Sequence, residues 1–134
     1  MRDFIDECKV GFAIIGGFLG WVFGGFDSLI YALIAFVALD YITGVLLAIH
    51  DKKISSEIGF RGICKKAMIF VLVAVGHILD QSIMGTGSSI RTMLIMFYLS
   101  NEGISILENS GATGLPLPQK LKDILQQLNG NKKD

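Results

Sequence analysis

Charge is missing from this chain where a soluble protein would carry it. The stretches 10–26, 28–49, 67–84 and 92–107 hold almost no Asp, Glu, Lys or Arg, and their Leu, Ile, Val, Phe and Met fall on every helical face. With 51% hydrophobic and 18% charged residues in a chain of 134, there is too little interior to hide that apolar surface. Helices that are apolar all round belong in lipid. A small soluble globule is excluded, and the expected fold is an all-α integral membrane helical bundle. Cysteine is nearly absent. Cys8 and Cys64 flank segments assigned below to one side of the membrane and read as free thiols, not as a disulfide. Histidine is equally scarce, and His50 and His77 lie toward opposite faces, so no metal site is expected. No nucleophile–base pair, metal motif or phosphate-cradling loop appears, which argues against an enzyme and leaves no cofactor to expect. A formal net charge of zero gives no sign of a nucleic-acid partner. Residues 1–9 carry three acids and lead into no small-residue cleavage pattern, so no secretory signal is expected.

What the chain does have is a set of candidate spans. A helix crossing ~30 Å of hydrocarbon needs roughly 20 residues. Segment 28–49 meets this, and 67–84 and 91–109 come close, with basic residues at one end able to snorkel. Segment 10–26 is short and glycine-rich; it is read as a span, with a re-entrant element or an interfacial helix as the alternatives. Lys and Arg concentrate in the loop 50–66, in the tail at Lys120, Lys122, Lys132 and Lys133, and at Arg2 and Lys9. Basic residues favour the cytoplasmic side. Four spans with both termini in the cytoplasm leave only Arg91 outside, whereas three spans would put the N-terminus outside. The chain then divides into a transmembrane helical domain, 1–114, and a cytoplasmic tail, 115–134. In the tail, Pro116 and Pro118 stop the preceding helix, and Leu121, Ile124, Leu125 and Leu128 trace the apolar face of a short amphipathic helix closed by Gly130 and the polar end 131–134.

Polar groups at membrane depth are the candidate functional residues. Asp40 lies near the middle of its span, with Thr43 and Gly44 on the same face. A lone carboxylate there costs several kcal/mol unless protonated, paired or wet, so it is either a pore or proton-linked group or a buried interhelical hydrogen bond. In the third span His77, Asp80, Gln81 and Met84 form one stripe, and His77 and Asp80 stand one turn apart, close enough to pair. In the fourth, Arg91, Tyr98, Asn101, Glu102, Ser105, Glu108 and Asn109 fall within about 120° at 100° per residue. Few cations are expected at that depth to neutralise Asp40, Glu102 and Glu108, so that face is read as a hydrated path or an assembly interface. Gly16, Gly20 and Gly24 repeat every four residues, a spacing that lets helix backbones approach, within a subunit or between subunits.

The run from Tyr98 through Asn101-Glu102 and Glu108-Asn109, followed by Gly114-Leu-Pro-Leu-Pro-Gln-Lys-Leu-Lys, resembles the C-terminal signature of a phage holin family that includes lysis and toxin-secretion holins of Gram-positive bacteria. Asp40-Tyr-Ile-Thr-Gly44 and Gly59-Phe-Arg-Gly-Ile-Cys-Lys-Lys66 resemble it too, so the likeness covers roughly 28–128. It implies a homo-oligomer in the bacterial cytoplasmic membrane that opens lesions and releases an endolysin or a toxin, with an antiholin as a further partner. It supplies no catalytic residues; Asp40, Gly44, Arg91, Asn101, Glu102, Glu108, Asn109, Pro116 and Pro118 carry over as structural and assembly positions. A small four-helix exporter is the rival reading, although such proteins place an essential glutamate in the first span and 10–26 has none. An antiholin that shares the fold without opening the membrane is the third.

Overall fold

The computed structural model of the chain describes residues 1–85 and 87–128. Gly130 and the polar end 131–134 lie outside the described residues, as do the side chains of Leu125 and Leu128. The described residues form five helices: α1 (Arg2–Phe23), α2 (Ser28–His50), α3 (Ser56–Ser82), α4 (Ser89–Ala112) and α5 (Gln119–Leu128).

Local chemistry sets the boundaries. α1 stops at Gly24, whose φ of 79° is left-handed and whose N–H bonds back to the Gly20 carbonyl. A side chain at Gly24 would also collide: its Cβ would lie 2.5 Å from His77 Nδ1. Asp27 then starts α2 as an extended N-cap, its Oδ1 accepting the Ile30 N–H at 3.0 Å. The apolar part of α1 therefore ends at Phe23 and not at 26. Residues 10–23 rise only about 21 Å, less than the ~30 Å of a hydrocarbon core. α3 begins at Ser56, well before the expected 67, because its polar first turns support themselves: Arg61 and Glu57 bond at 3.0 Å one turn apart. Two helices, α2 and α3, are long and apolar enough to cross a membrane.

α4 is the central element. It runs parallel to α2, since Asp27 meets Arg91 and Thr43 meets Asn109. It runs antiparallel to α3, since Lys66 meets Glu102 and Asp80 meets the Arg91 backbone. Between these polar levels lies the apolar core: Ile30, Leu33 and Val37 from α2, Ile69 and Val73 from α3, Ile95 from α4. α2 and α3 lean on α4 and touch each other little. α5 folds back along the end of α4, where Leu117 packs on Gly111 and a groove of about 240 Å³ includes Ile104, Leu107 and Gln126. No residue of α1 is buried, and its contact with α3 is made through Phe23, whose ring lies 5.9 Å from that of Phe70.

The tightest helix crossing is at Gly76. A Cβ there would lie 2.7 Å from Leu94 Cδ1 and 3.3 Å from the Arg91 backbone. Gly76→Val should push α3 off α4 and cost about 1–3 kcal/mol, the usual range for overpacking. Thermal unfolding in detergent checks this, and an unchanged midpoint would refute the close crossing.

Candidate functional site

The polar residues of α2, α3 and α4 collect in two clusters on either side of the apolar core. The first is built around Lys66. Its Nζ donates to Asp40 Oδ2 at 2.5 Å and to Glu102 Oε2 at 2.8 Å, joining three helices through one ammonium group. Asn109 closes the other side: its Nδ2 donates to Asp40 Oδ1 and to Thr43 Oγ1, each at 3.0 Å. Thr43 in turn donates its hydroxyl to the Asp40 carbonyl at 3.0 Å. The side chains of Lys66, Asp40 and Glu102 are 17%, 10% and 9% exposed, so the network is nearly enclosed. A cavity of about 280 Å³ opens beside it, reaching from Asp40, Ser105 and Asn109 to Lys53 and Ser55.

The second cluster lies at the start of α4, about 16 Å along that helix from Glu102. Arg91 is buried. Its guanidinium takes Asp27 with two bonds, at 2.8 and 3.2 Å, the Gly25 carbonyl at 3.1 Å and the Phe23 carbonyl at 2.5 Å. One side chain of α4 thus holds the turn between α1 and α2. The hydrogen bond from Arg91 holds the Asp27 carboxyl below its usual value; partial burial pushes the other way, and the Ile30 N–H adds to the lowering. Asp80, almost fully buried, accepts the N–H groups of Ile90 and Arg91 at 3.0 and 2.9 Å. It satisfies two donors at the N-terminus of α4 that have no partner within that helix.

These positions settle several expectations. Asp40, Thr43, Glu102, Ser105 and Asn109 come together, while Asp80 and Arg91 belong to the other cluster. His77 and Asp80 do not pair, because both Asp80 oxygens are used by α4 and His77 packs against Gly24. Asn101 is half-buried and Glu108 exposed, and neither joins the Lys66 network. Gly24 serves a turn and a close contact within the chain, Gly20 faces the Phe26 ring at 3.3 Å, and Gly16 is open. The expected shortage of cations at depth is corrected: Lys66, assigned from sequence to a loop, sits nearly three turns inside α3 and neutralises part of the acid charge. Asp27 was also missed, although an Asp directly before an apolar helix is a start signal. Cys8 and Cys64 are both free and exposed.

Comparison with known proteins bears on this arrangement. The sequence model of the bacteriophage holin family matches residues 17–130. The uncharacterized 14.9 kDa protein in the nagH 3' region of Clostridium perfringens is 42% identical over 98% of this chain and 100% of its own length. The uncharacterized protein Lin0175 of Listeria innocua is 42% identical over 87% of this chain and 83% of its own. YtkC of Bacillus subtilis, also uncharacterized, is 34% identical over 81% of each. No solved structure matches the chain.

Two outcomes follow from the clusters. Lys66→Met leaves two buried carboxylates without their cation and should cost about 3–5 kcal/mol. Adding Asp40→Asn and Glu102→Gln should recover most of that loss in thermal unfolding; a triple variant no more stable than Lys66→Met would count against the network. At the other cluster the sign follows from Asp27, whose pKa is depressed from 3.8. Its stabilisation is full above that value and disappears as pH falls through the lower, folded value. Asp27→Asn should be less stable than the parent at pH 7, and the two should converge in strong acid. A difference constant from pH 7 to pH 2 would refute the clasp.

Proposed function

The chain belongs to the bacteriophage holin family, and from that membership we propose that it accumulates in the bacterial cytoplasmic membrane, assembles with copies of itself and opens lesions that release a wall-degrading endolysin or a toxin. α1 to α4 are the four spans of this reading, both termini face the cytoplasm, and α5 lies on that side. The observation that carries the proposal is the Lys66 network: three charged side chains well inside their helices, joined by the Asn109 amide, with two of the three helices long and apolar enough to cross a membrane.

In a dispersed subunit these groups satisfy one another, so lipid meets only apolar side chains and the membrane stays sealed. In an assembly, the polar face that includes Asp40, Thr43, Asn101, Glu102, Ser105 and Asn109 turns toward enclosed water. Each group then exchanges a protein partner for water instead of being stranded in hydrocarbon. His77 and Glu108 lie toward the two mouths, where water is closer, while Asp80 and Arg91 go on holding the start of α4. Rising concentration shifts the population from sealed subunits to the open assembly. No catalytic step is involved, and the residues named act through charge, hydrogen bonding and shape.

Induced expression in bacteria tests the proposal. Membrane potential should collapse, and a cytoplasmic reporter enzyme should appear outside within the same interval. Loss of potential alone would replace the lesion with a narrow channel. Cells that keep both, at an expression level that fills the membrane with the protein, would overturn the proposal.

A further inference from the structure

Because α2 and α3 lean on α4 and touch little, a cleft runs between them along most of their length. Toward the α2–α3 loop it is the cavity of about 280 Å³, walled by Tyr41, Val45, Ala48, Ile58 and Gly62, with Lys53 at its mouth. Toward the other end it is an apolar groove of about 770 Å³ walled by Ile34, Ala38, Ala67 and Val71, which Leu19 and Phe23 of α1 close at the top. Below that last turn α1 leaves the groove, and none of its residues is buried.

We propose that this cleft receives α1 from a second copy of the chain, an inference that rests on the homo-oligomeric reading above. Length agrees. The chain's own Leu19, Val22 and Phe23 already line the top of the groove, so the free wall runs from Ser56 to Ala67 on α3, about 17 Å, which about half the length of a second copy's α1 matches. Polarity agrees as well. The first turns of α1 carry Arg2, a Lys9–Asp6 pair at 3.6 Å, and exposed Asp3 and Glu7 that make no ion pair among the described residues; the mouth of the cleft carries Lys53, equally without one, with Lys52 beside it. Higher up, the apolar residues of α1 meet an apolar groove, and Gly16, whose surroundings are open, allows close approach to Ala67.

Depth bounds the register. Copies related by rotation about the membrane normal share the same depths. Phe23 lies level with Phe70, and Gly24 with His77. Descending α1 and α3 together at 1.5 Å per residue sets Cys8 level with position 55 from the first pair and with position 61 from the second, a window about 9 Å deep centred on Ile58, and sets Asp3 in the window 50–56 that includes Lys53. The contact is head-to-tail, arm into cleft, so each added copy leaves a free arm and a free cleft. Such a contact grows into a ring or an open array and does not stop at a dimer.

The test uses two full-length versions co-expressed in bacterial membranes and oxidised. One keeps Cys8 and carries Cys64→Ser; the other carries Ile58→Cys with Cys8→Ser and Cys64→Ser. A disulfide-linked heterodimer should form at least tenfold more than when Ile83→Cys, at the opposite end of α3, replaces Ile58→Cys. Asp3→Lys with Asp6→Lys in the first version should cut the yield severalfold, and Lys53→Glu in the second should restore it. Absence of the heterodimer would overturn the proposal. So would a chain holding Cys8 and Ile58→Cys together that yields only an internal disulfide, since α1 would then fill its own cleft. Reporter leakage without the cross-link sinks this interface and leaves permeabilisation standing; the cross-link without leakage does the reverse.

Discussion

The ammonium of Lys66 between two carboxylates is the constraint on which the helix arrangement depends. Asp40, Lys66 and Glu102 come from three different helices and are all nearly enclosed. Removing charges from water costs several kcal/mol each, and the loss is offset only when partners stand at hydrogen-bond distance and the leftover lone pairs are used. Both Asp40 oxygens are engaged, one by Lys66 and the other by Asn109. Sliding α2 along α4 by one turn would break the Asp40–Asn109 and Thr43–Asn109 bonds and carry Asp40 away from Lys66. Apolar packing alone tolerates such slips, because Leu, Ile and Val at equivalent positions fill similar space. The polar network therefore specifies the register more than it adds stability.

The second cluster does the same work at the other end by different chemistry. Arg91 is buried but reaches an aspartate that is about half exposed, so this pair sits at a boundary with water and the Lys66 pair does not. Its fork also holds the carbonyls of Phe23 and Gly25, where the chain turns with two positive φ angles in succession. The direction in which α1 leaves the bundle is thus set by a side chain of α4. Between the clusters lie the six core residues, of which Ile30, Leu33, Val73 and Ile95 are completely buried.

Much of this was legible in the sequence, and what was not has a physical cause. The all-helical fold, the α2 boundary within a residue of 49, and the polar faces that carry Asp40 and Thr43 on one helix and Glu102, Ser105 and Asn109 on another follow from hydropathy and from a 3.6-residue period, which report on one helix at a time. The start of α3 does not, because helical turns in water look like a charged loop when the measure is apolarity. That error moved Lys66 out of the bundle and made the acids seem unneutralised. The partner of a buried carboxylate, 26 or 36 residues away along the chain, cannot be read from periodicity. It could have been inferred by asking what cation pays for Asp40. The His77–Asp80 pairing failed for a related reason: spacing within a helix shows which side chains can meet, and not which backbone donors on a neighbouring helix compete for them.

On the proposed function, a subunit that keeps its polar groups in pairs has a consequence for how an assembly of copies would open. Turning Asp40, Lys66 and Glu102 outward one subunit at a time would put each against lipid, at several kcal/mol per group. Turning them together, around water they enclose, avoids that penalty for every subunit at once. Intermediate states with a few subunits turned carry the cost without the hydrated lumen and stay sparsely populated. Under that proposal the equilibrium would be steep in the number of subunits gathered, because each subunit buries its charges. The same argument limits sequence change at these positions. Replacing the three charged groups with apolar ones of similar size would keep the bundle and its register would loosen, but the assembled state would lose the hydration that favours it over the sealed one.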